Sequence, residues 1–316
     1  MPDLSIVVPT YRGAESLAEL VDRLGTVMAA RGIDHEVIVV NDASPDDTWP
    51  RLQALAADHP ELVAVDLLAN RGQAVATLAG LAYARGSLVA TMDDDLQQPP
   101  EELPVLLEAL AENPRWDAAV GTWPRDHGLF RAVGSWTHAL VDRLAHGTPL
   151  SFRHTSFRMM RRPLVDALLA HETRTPVLGP LITQLSSETH NVVVDHHPRK
   201  HGSSTITLRE SISRVLTNLI HGTTLPLRML SRLGLLVAFA ALVVALVFLV
   251  RWIVGTDAPP GWTSSFLATL FFGGMILFGI GLLGEYTSVV IKEVRRPPKW
   301  NVRTVLGRRD DGEHPG

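Results

Sequence analysis

Three adjacent aspartates, Asp93, Asp94 and Asp95, stand in the stretch Thr91-Met92-Asp93-Asp94-Asp95-Leu96-Gln97, directly after a short apolar run. Like charges this close repel one another unless solvent or a cation compensates them, and carboxylate and amide oxygens are hard donors suited to Mg2+ or Mn2+. In an extended chain residues two apart face the same way, which puts Asp93, Asp95 and Gln97 on one side. A divalent ion held there can bridge a diphosphate and stabilise its departure. An isolated acidic triplet is more commonly a solvated loop, so its position in the fold decides between the two. A second polar cluster, Asn41-Asp42-Ala43-Ser44-Pro45-Asp46-Asp47-Thr48, contributes Asp42, a candidate acceptor for a nucleobase or ribose at a strand end. Asp46 and Asp47 read as caps of the following helix. Pro99-Pro100-Glu101-Glu102 reads as a helix start, with proline in the first turn and carboxylates complementing the dipole.

The elements that must position these residues are legible in the first half of the chain. Short β-branched runs at 4–8, 36–40, 63–67, 88–92 and 118–120 alternate with helical patterns at 15–30, 48–58, 74–85 and 101–112. Runs that are apolar on both faces and separated by helices predict an α/β fold with a mainly parallel sheet covered on both sides. Ligands of such sheets bind beyond the carboxyl ends of the strands. Pro9-Thr10-Tyr11, the Asp42 cluster and the acidic triplet all fall there.

The second half reads differently. Residues 208–219 form an amphipathic pattern with Leu208, Ile212, Val215, Leu216 and Leu219 on one face, expected to lie in a headgroup layer. The runs 233–250 and 261–284 carry no charge, and a short Pro-rich link separates them. They predict a transmembrane hairpin with spans at about 233–254 and 262–286. Arg209, Arg214, Arg228 and Arg232 precede it and Lys292, Arg295, Arg296 and Lys299 follow it, which orients both termini to the cytoplasm. The expected organisation is a catalytic domain at 1–205, juxtamembrane helices at 206–232, the hairpin at 233–290 and a cytoplasmic tail at 291–316. The expected location is a multi-pass protein of the inner membrane, in contact with the lipid bilayer. Ala241 and Ala245 form a small-residue pair that supports helix association and a homo-oligomer.

Composition bounds the partners. A formal net charge of −4 argues against nucleic acid, and the absence of cysteine removes disulfides, thiolate metal sites and a cysteine nucleophile. Adjacent His196 and His197 point apart on an extended segment and do not read as a metal pair.

The ordered set Val7–Tyr11, Asn41-Asp42-Ala43-Ser44, Asn70-Arg71-Gly72-Gln73 and Asp93–Glu101 resembles glycosyltransferase family two with the GT-A fold. With Arg199, Gly202 and Ser204, then Leu225-Pro226-Leu227-Arg228 and Gly284-Glu285-Tyr286, the set is similar to bacterial polyprenyl-phosphate glycosyltransferases. The catalytic half is also similar to dolichyl-phosphate mannose synthases. The resemblance runs from about residue 4 to 306. It implies inverting transfer of a sugar from a nucleotide-sugar, with uridine the expected base, to a polyprenyl phosphate. By the same resemblance Pro9, Tyr11, Asp42 and Asp94 contact the nucleotide, and Asp93, Asp95 and Gln97 hold Mg2+ or Mn2+. Arg125 and Arg131 neutralise diphosphate or lipid phosphate, Arg131 with a catalytic part, and Arg199 and Ser204 meet the acceptor.

Three departures stand out. The family's Asn-Glu after the tyrosine is Arg12-Gly13 here, and its Lys after the acceptor-loop serine is Thr205. The Gly-Asp-Phe-Arg-like stretch of many relatives corresponds to Phe152–Arg158, which holds no carboxylate. A phosphate acceptor is mostly ionised at neutral pH and attacks without a strong base, so this loss reads as altered sugar or acceptor contacts. Two alternatives stay open: a transferase with a different acceptor, and a catalytically silent membrane protein that binds nucleotide-sugar.

Overall fold

The computed structural model describes residues 2–123, 152–171, 177–197, 261–294 and 300–307, with isolated positions between 232 and 254. It divides into two units, one of Met1–Thr205 with Arg296–Gly316 and one of Ile206–Arg295. In the first, the five expected strands are β1 (Leu4–Thr10), β2 (His35–Asn41), β3 (Leu62–Leu67), β4 (Leu88–Thr91) and β5 (Ala118–Thr122). The helices between them are α1 (Leu17–Arg31), α2 (Thr48–Asp58), α3 (Gln73–Tyr83) and α4 (Leu103–Glu112). Pro100–Glu102 form a short 3-10 turn ahead of α4.

The two-residue period of the strands sorts their side chains into two cores. Ile6, Val8, Val37 and Val39 pack with Leu20 and Leu24 of α1, Leu52 of α2 and Leu106 of α4. Val7, Ile38 and Val40 turn the other way, onto Ala76 and Leu78 of α3. Helix α1 buries Leu17, Leu20, Val21, Leu24 and Met28, one stripe at helical spacing. It stops at Gly32, whose φ of 63° lets its N–H turn back to the Ala29 and Met28 carbonyls.

Three further strands lie outside the expected pattern. They are β6 (Arg158–Arg161), β7 (Thr189–Val193) and β8 (Val302–Leu306), and the helices α5 (Arg162–Ala170) and α6 (Leu178–Leu185) lie between β6 and β7. The sheet order is β7-β5-β6-β4-β1-β2-β3-β8. Pairing is parallel for β1–β2, β1–β4, β2–β3 and β5–β7, and antiparallel for β4–β6, β5–β6 and β3–β8. The sheet is therefore mixed rather than mainly parallel. Arginines at both ends of β6 disguise its buried Met159-Met160 centre as a basic loop.

The second unit corrects the expectation of a membrane hairpin. Among the described residues no helix is long and apolar enough to cross a membrane. Its described helix, α7 (Trp262–Val294), carries Gly273, Gly274, Gly279, Gly281 and Gly284 and runs on through Glu285, Lys292 and Glu293. Glycine, serine and threonine take ten of the 24 positions at 261–284, which freedom from charge alone does not register. Most of 233–254, with Ala241 and Ala245, and the amphipathic stretch 208–219 lie outside the described residues. The multi-pass inner-membrane location with cytoplasmic termini is withdrawn with the hairpin.

Candidate active site

A cleft of about 200 Å³ opens at the carboxyl ends of β1, β2 and β4, where parallel neighbours leave their loops free. It brings together Pro9, Tyr11, Asp42, Asp93, Asp94 and Asp95, six residues marked out in the sequence, and adds Thr10, Gln73 and Ala76. Gln97 belongs to the same loop but does not line the cleft. Arg125, Arg131, Arg199 and Ser204 lie outside the described residues.

Each aspartate has a distinct setting. Asp93 accepts from Gln73 Nε2 on one oxygen, and on the other from Ser156 Oγ at 2.6 Å and Gln98 Nε2 at 3.2 Å. Gln98 also accepts the Asp93 N–H at 3.0 Å and donates to Ser156 Oγ at 2.9 Å, closing a small network. Burial holds the Asp93 carboxyl above the usual carboxylate range; the Ser156 bond opposes this and the Asp95 charge adds to it. The buried Arg158 nearby donates to Thr91 Oγ1 at 3.2 Å. Burial pushes its guanidinium down to about 10, against the pull of Asp93. Asp94 accepts from Thr10 Oγ1, and burial pushes its carboxyl up to about 6, with repulsion from Asp93 and Asp95 contributing. Asp95 Oδ1 accepts the Gln97 N–H at 3.2 Å.

Asp42 is buried and accepts the backbone N–H groups of Arg71 at 2.7 Å and Gly72 at 2.8 Å. Its carboxylate thus fixes the loop that opens α3, from which Gln73 reaches Asp93. Next door the N-cap of α2 is Asp47, which makes no side-chain capping bond, while Oδ1 of Asp46, one residue earlier, accepts the Thr48 N–H at 3.2 Å and its hydroxyl at 2.6 Å. Glu101 pairs in parallel with Arg23, Oε1 to Nε at 3.0 Å and Oε2 to Nη2 at 2.6 Å. That pair ties the start of α4 to α1. The Arg23 hydrogen bond holds the Glu101 carboxyl below its ordinary range.

Two of the three departures from the family pattern find structural reasons, and Thr205 lies outside the described residues. A Cβ at Gly13 would stand 2.2 Å from both Asp94 Oδ2 and Thr10 Oγ1, so the bare backbone is what admits the Asp94–Thr10 contact. Ser156, in the stretch where relatives carry a carboxylate, donates to Asp93 instead of adding a further negative charge beside it. Past β7, His196 stacks on Trp123 at 3.9 Å and 7°, and the His197 N–H donates to the Gln97 carbonyl at 2.8 Å. His197 therefore braces the acidic loop, while His196 packs on Trp123 instead.

Among the described residues three non-glycine positions have left-handed backbones: Arg12 (φ 58°), Ala43 (φ 52°) and Leu96 (φ 58°). They sit in the loops after β1, β2 and β4, the three that frame the cleft. Such conformations cost about 1–2 kcal/mol each and persist where surrounding contacts impose them.

The raised Asp94 carboxyl has a measurable consequence. A carboxyl that holds its proton more tightly folded than unfolded makes stability fall as pH rises from about 4 through about 6. Asp94→Asn removes that charge, so the ligand-free variant is expected to exceed the parent in stability at pH 7.5 by about 1 kcal/mol, allowing for solvent screening. The gap should close at pH 4, as read by urea melts at both pH values.

The family model for glycosyl transferase family 2 matches residues 5–169. The chain belongs to that family and is a glycosyltransferase. Its relatives include the undecaprenyl-phosphate 4-deoxy-4-formamido-L-arabinose transferase of Pseudomonas fluorescens (strain SBW25), 34% identical over 96% of this chain and 89% of that one. The enzyme of the same name from Pseudomonas syringae pv. syringae (strain B728a) is 36% identical over 96% and 90%. Among solved structures, mannosyl-3-phosphoglycerate synthase from Rubrobacter xylanophilus superposes with a TM-score of 0.51 at 16% identity, covering 69% of this chain and 73% of that one. Glucosyl-3-phosphoglycerate synthase from Mycobacterium tuberculosis, in complex with Mn2+, UDP-glucose and phosphoglyceric acid, gives 0.50 at 17%, covering 71% and 79%. These two likenesses establish the fold.

Proposed function

We propose that the protein transfers a sugar from a nucleoside diphosphate sugar, with uridine the expected base, to a polyprenyl phosphate. The observation that carries the reading is the cleft itself: three consecutive carboxylates, two of them raised by burial, at the carboxyl ends of β1, β2 and β4. A concentration of negative charge with one buried guanidinium near it favours a cation from solution. Among the described residues no group of three or more His, Cys, Asp or Glu side chains converges as a metal site. Of the expected donors Asp93 and Asp95 line the cleft and Gln97 does not; the two carboxylates are hard ligands that fit Mg2+ or Mn2+, with water or phosphate oxygens completing the shell. When bound, such an ion supplies Lewis-acid stabilisation of the leaving diphosphate.

The chain's own residues do the rest. Tyr11, half exposed at the cleft, offers a ring face to the base, and Pro9 and Asp42 border the same side. Asp42 holds the 71–72 backbone so that Gln73 and Asp93 stay fixed in the floor. An acceptor phosphate oxygen attacks the anomeric carbon as the bond to the nucleoside diphosphate breaks, with inversion. The acceptor is already ionised, so no carboxylate need take a proton from it, which agrees with Ser156 standing as a donor to Asp93. The curated relatives of matching length carry undecaprenyl phosphate in their names, which supports the same acceptor here.

Incubating the full chain with undecaprenyl phosphate, Mn2+ or Mg2+ and a panel of nucleotide-sugars tests this. Lipid-linked sugar should form with at least one donor and stop on adding EDTA. Absence of product with every donor would overturn the acceptor assignment, and undiminished product in EDTA would overturn the cation.

A further inference from the structure

We infer that Arg303, on β8, is a positioning residue for the donor-binding loop after β2, acting through Asp66 and Asn41. The proposal rests on the reading of the cleft as a nucleotide-sugar site.

Strand β8 pairs antiparallel with β3, and the register slips between Asp66 and Leu67: Asp66 faces Thr304 while Leu67 faces Val302. Arg303 is the residue left over at that irregularity. Bulges of this kind re-aim a side chain, and here the guanidinium meets Asp66, Nη1 to Oδ2 at 3.0 Å. The arginine is half exposed, whereas Asp66 is 1% exposed, a buried carboxylate that needs a counter-charge. Asp66 Oδ1 accepts from Asn41 Nδ2 at 2.7 Å. The other end of that amide, Asn41 Oδ1, accepts the Ser44 N–H at 3.2 Å, and Ser44 Oγ accepts the Arg12 N–H at 3.0 Å.

The chemistry of an amide makes this chain of contacts directional. An ionised carboxylate presents only acceptors, so Asn41 must turn its NH2 toward Asp66 and its oxygen toward Ser44. With the Arg303 charge removed, Asp66 is buried without a counter-charge and no longer dictates which way the amide faces. The loop it releases is one that needs holding: Ala43 is left-handed, and Ser44 joins the loop after β2 to the one after β1. Asp42 and Tyr11 of those two loops, with Pro9 near the end of β1, border the cleft. A residue more than two hundred positions from Asp66 thereby sets the shape of the nucleotide side of the site.

Hydrogen exchange of the free full-length protein, together with calorimetric titration of UDP in the presence of Mn2+, tests the proposal. Arg303→Met should speed exchange about tenfold in peptides covering 42–48, leave those covering 103–112 unchanged and weaken UDP binding at least fivefold. Arg303→Lys should recover much of both. Asp66→Asn, which keeps the side-chain size, should reproduce the methionine variant, and combining the two should add nothing further. Unchanged exchange at 42–48 in both Arg303→Met and Asp66→Asn would overturn the relay. Faster exchange with UDP bound by none of the proteins, parent included, would uphold the relay and overturn the donor reading instead.

Discussion

Replacing Asp95 by asparagine is expected to lower the rate of sugar transfer by about 10³-fold while leaving the melting temperature within a degree or so of the parent. The substitution keeps size and shape, and the oxygen of the new amide can still accept the Gln97 N–H that Asp95 Oδ1 accepts at 3.2 Å. What it removes is one full negative charge from the cleft. If the residues of the acidic loop hold a cation against the leaving diphosphate, a neutral amide weakens that hold where charge develops most. The effect should fall on the maximal rate and on the Mn2+ concentration needed to reach it. Initial rates over a Mn2+ series, with calorimetry of the folded protein, separate this from unfolding. A variant that keeps more than a tenth of the parental rate at saturating Mn2+ would remove Asp95 from the machinery.

Phe157→Ala should have the largest effect on stability, about 3–5 kcal/mol, from lost burial and the cavity left behind. Phe157 is wholly buried, and Gly121 is bare because a Cβ there would stand 2.6 Å from the phenyl ring. Its chain neighbours are Ser156, which donates to Asp93, and Arg158, buried near the acidic loop. Collapse around the cavity would shift both, so activity should fall together with stability. Urea denaturation gives the first number and the transfer rate at low temperature the second. A loss below about 1 kcal/mol would mean that the space refills without disturbing β6.

The outcome at Phe157 bears on how far such a site can be read in advance. Asp42 and the acidic triplet were legible because residues after apolar runs of a parallel α/β sheet fall at one edge whatever the details. Gly13 stood out only as a departure, and its reason, the space filled by Asp94 and Thr10, became visible once two distant loops were side by side. Ser156 and Gln98 carried no signal of their own, since their roles depend on β6 running antiparallel to β4 and bringing residue 156 against residue 93. Strand β8 was hidden for a related reason. Val302-Arg303-Thr304-Val305-Leu306 alternates weakly, sits in a basic tail and has its partner near residue 65. The hairpin was read from two uncharged runs; most of 233–254 lies outside the described residues, and among those described no helix is long and apolar enough to cross a membrane.

The pairing of β3 with β8 also has a consequence for how the protein is made. Ala64 waits for Leu306, so the outer edge of β3 has no partner until residue 306 has left the ribosome. At synthesis rates of about 5–20 residues per second, that interval is roughly 12–50 s. During it the nascent protein presents an open strand edge, the kind of surface on which neighbouring chains pair and aggregate. Yield in a heterologous host should therefore respond more to slower growth and to chaperones that cover strand edges than to the intrinsic stability of the finished fold.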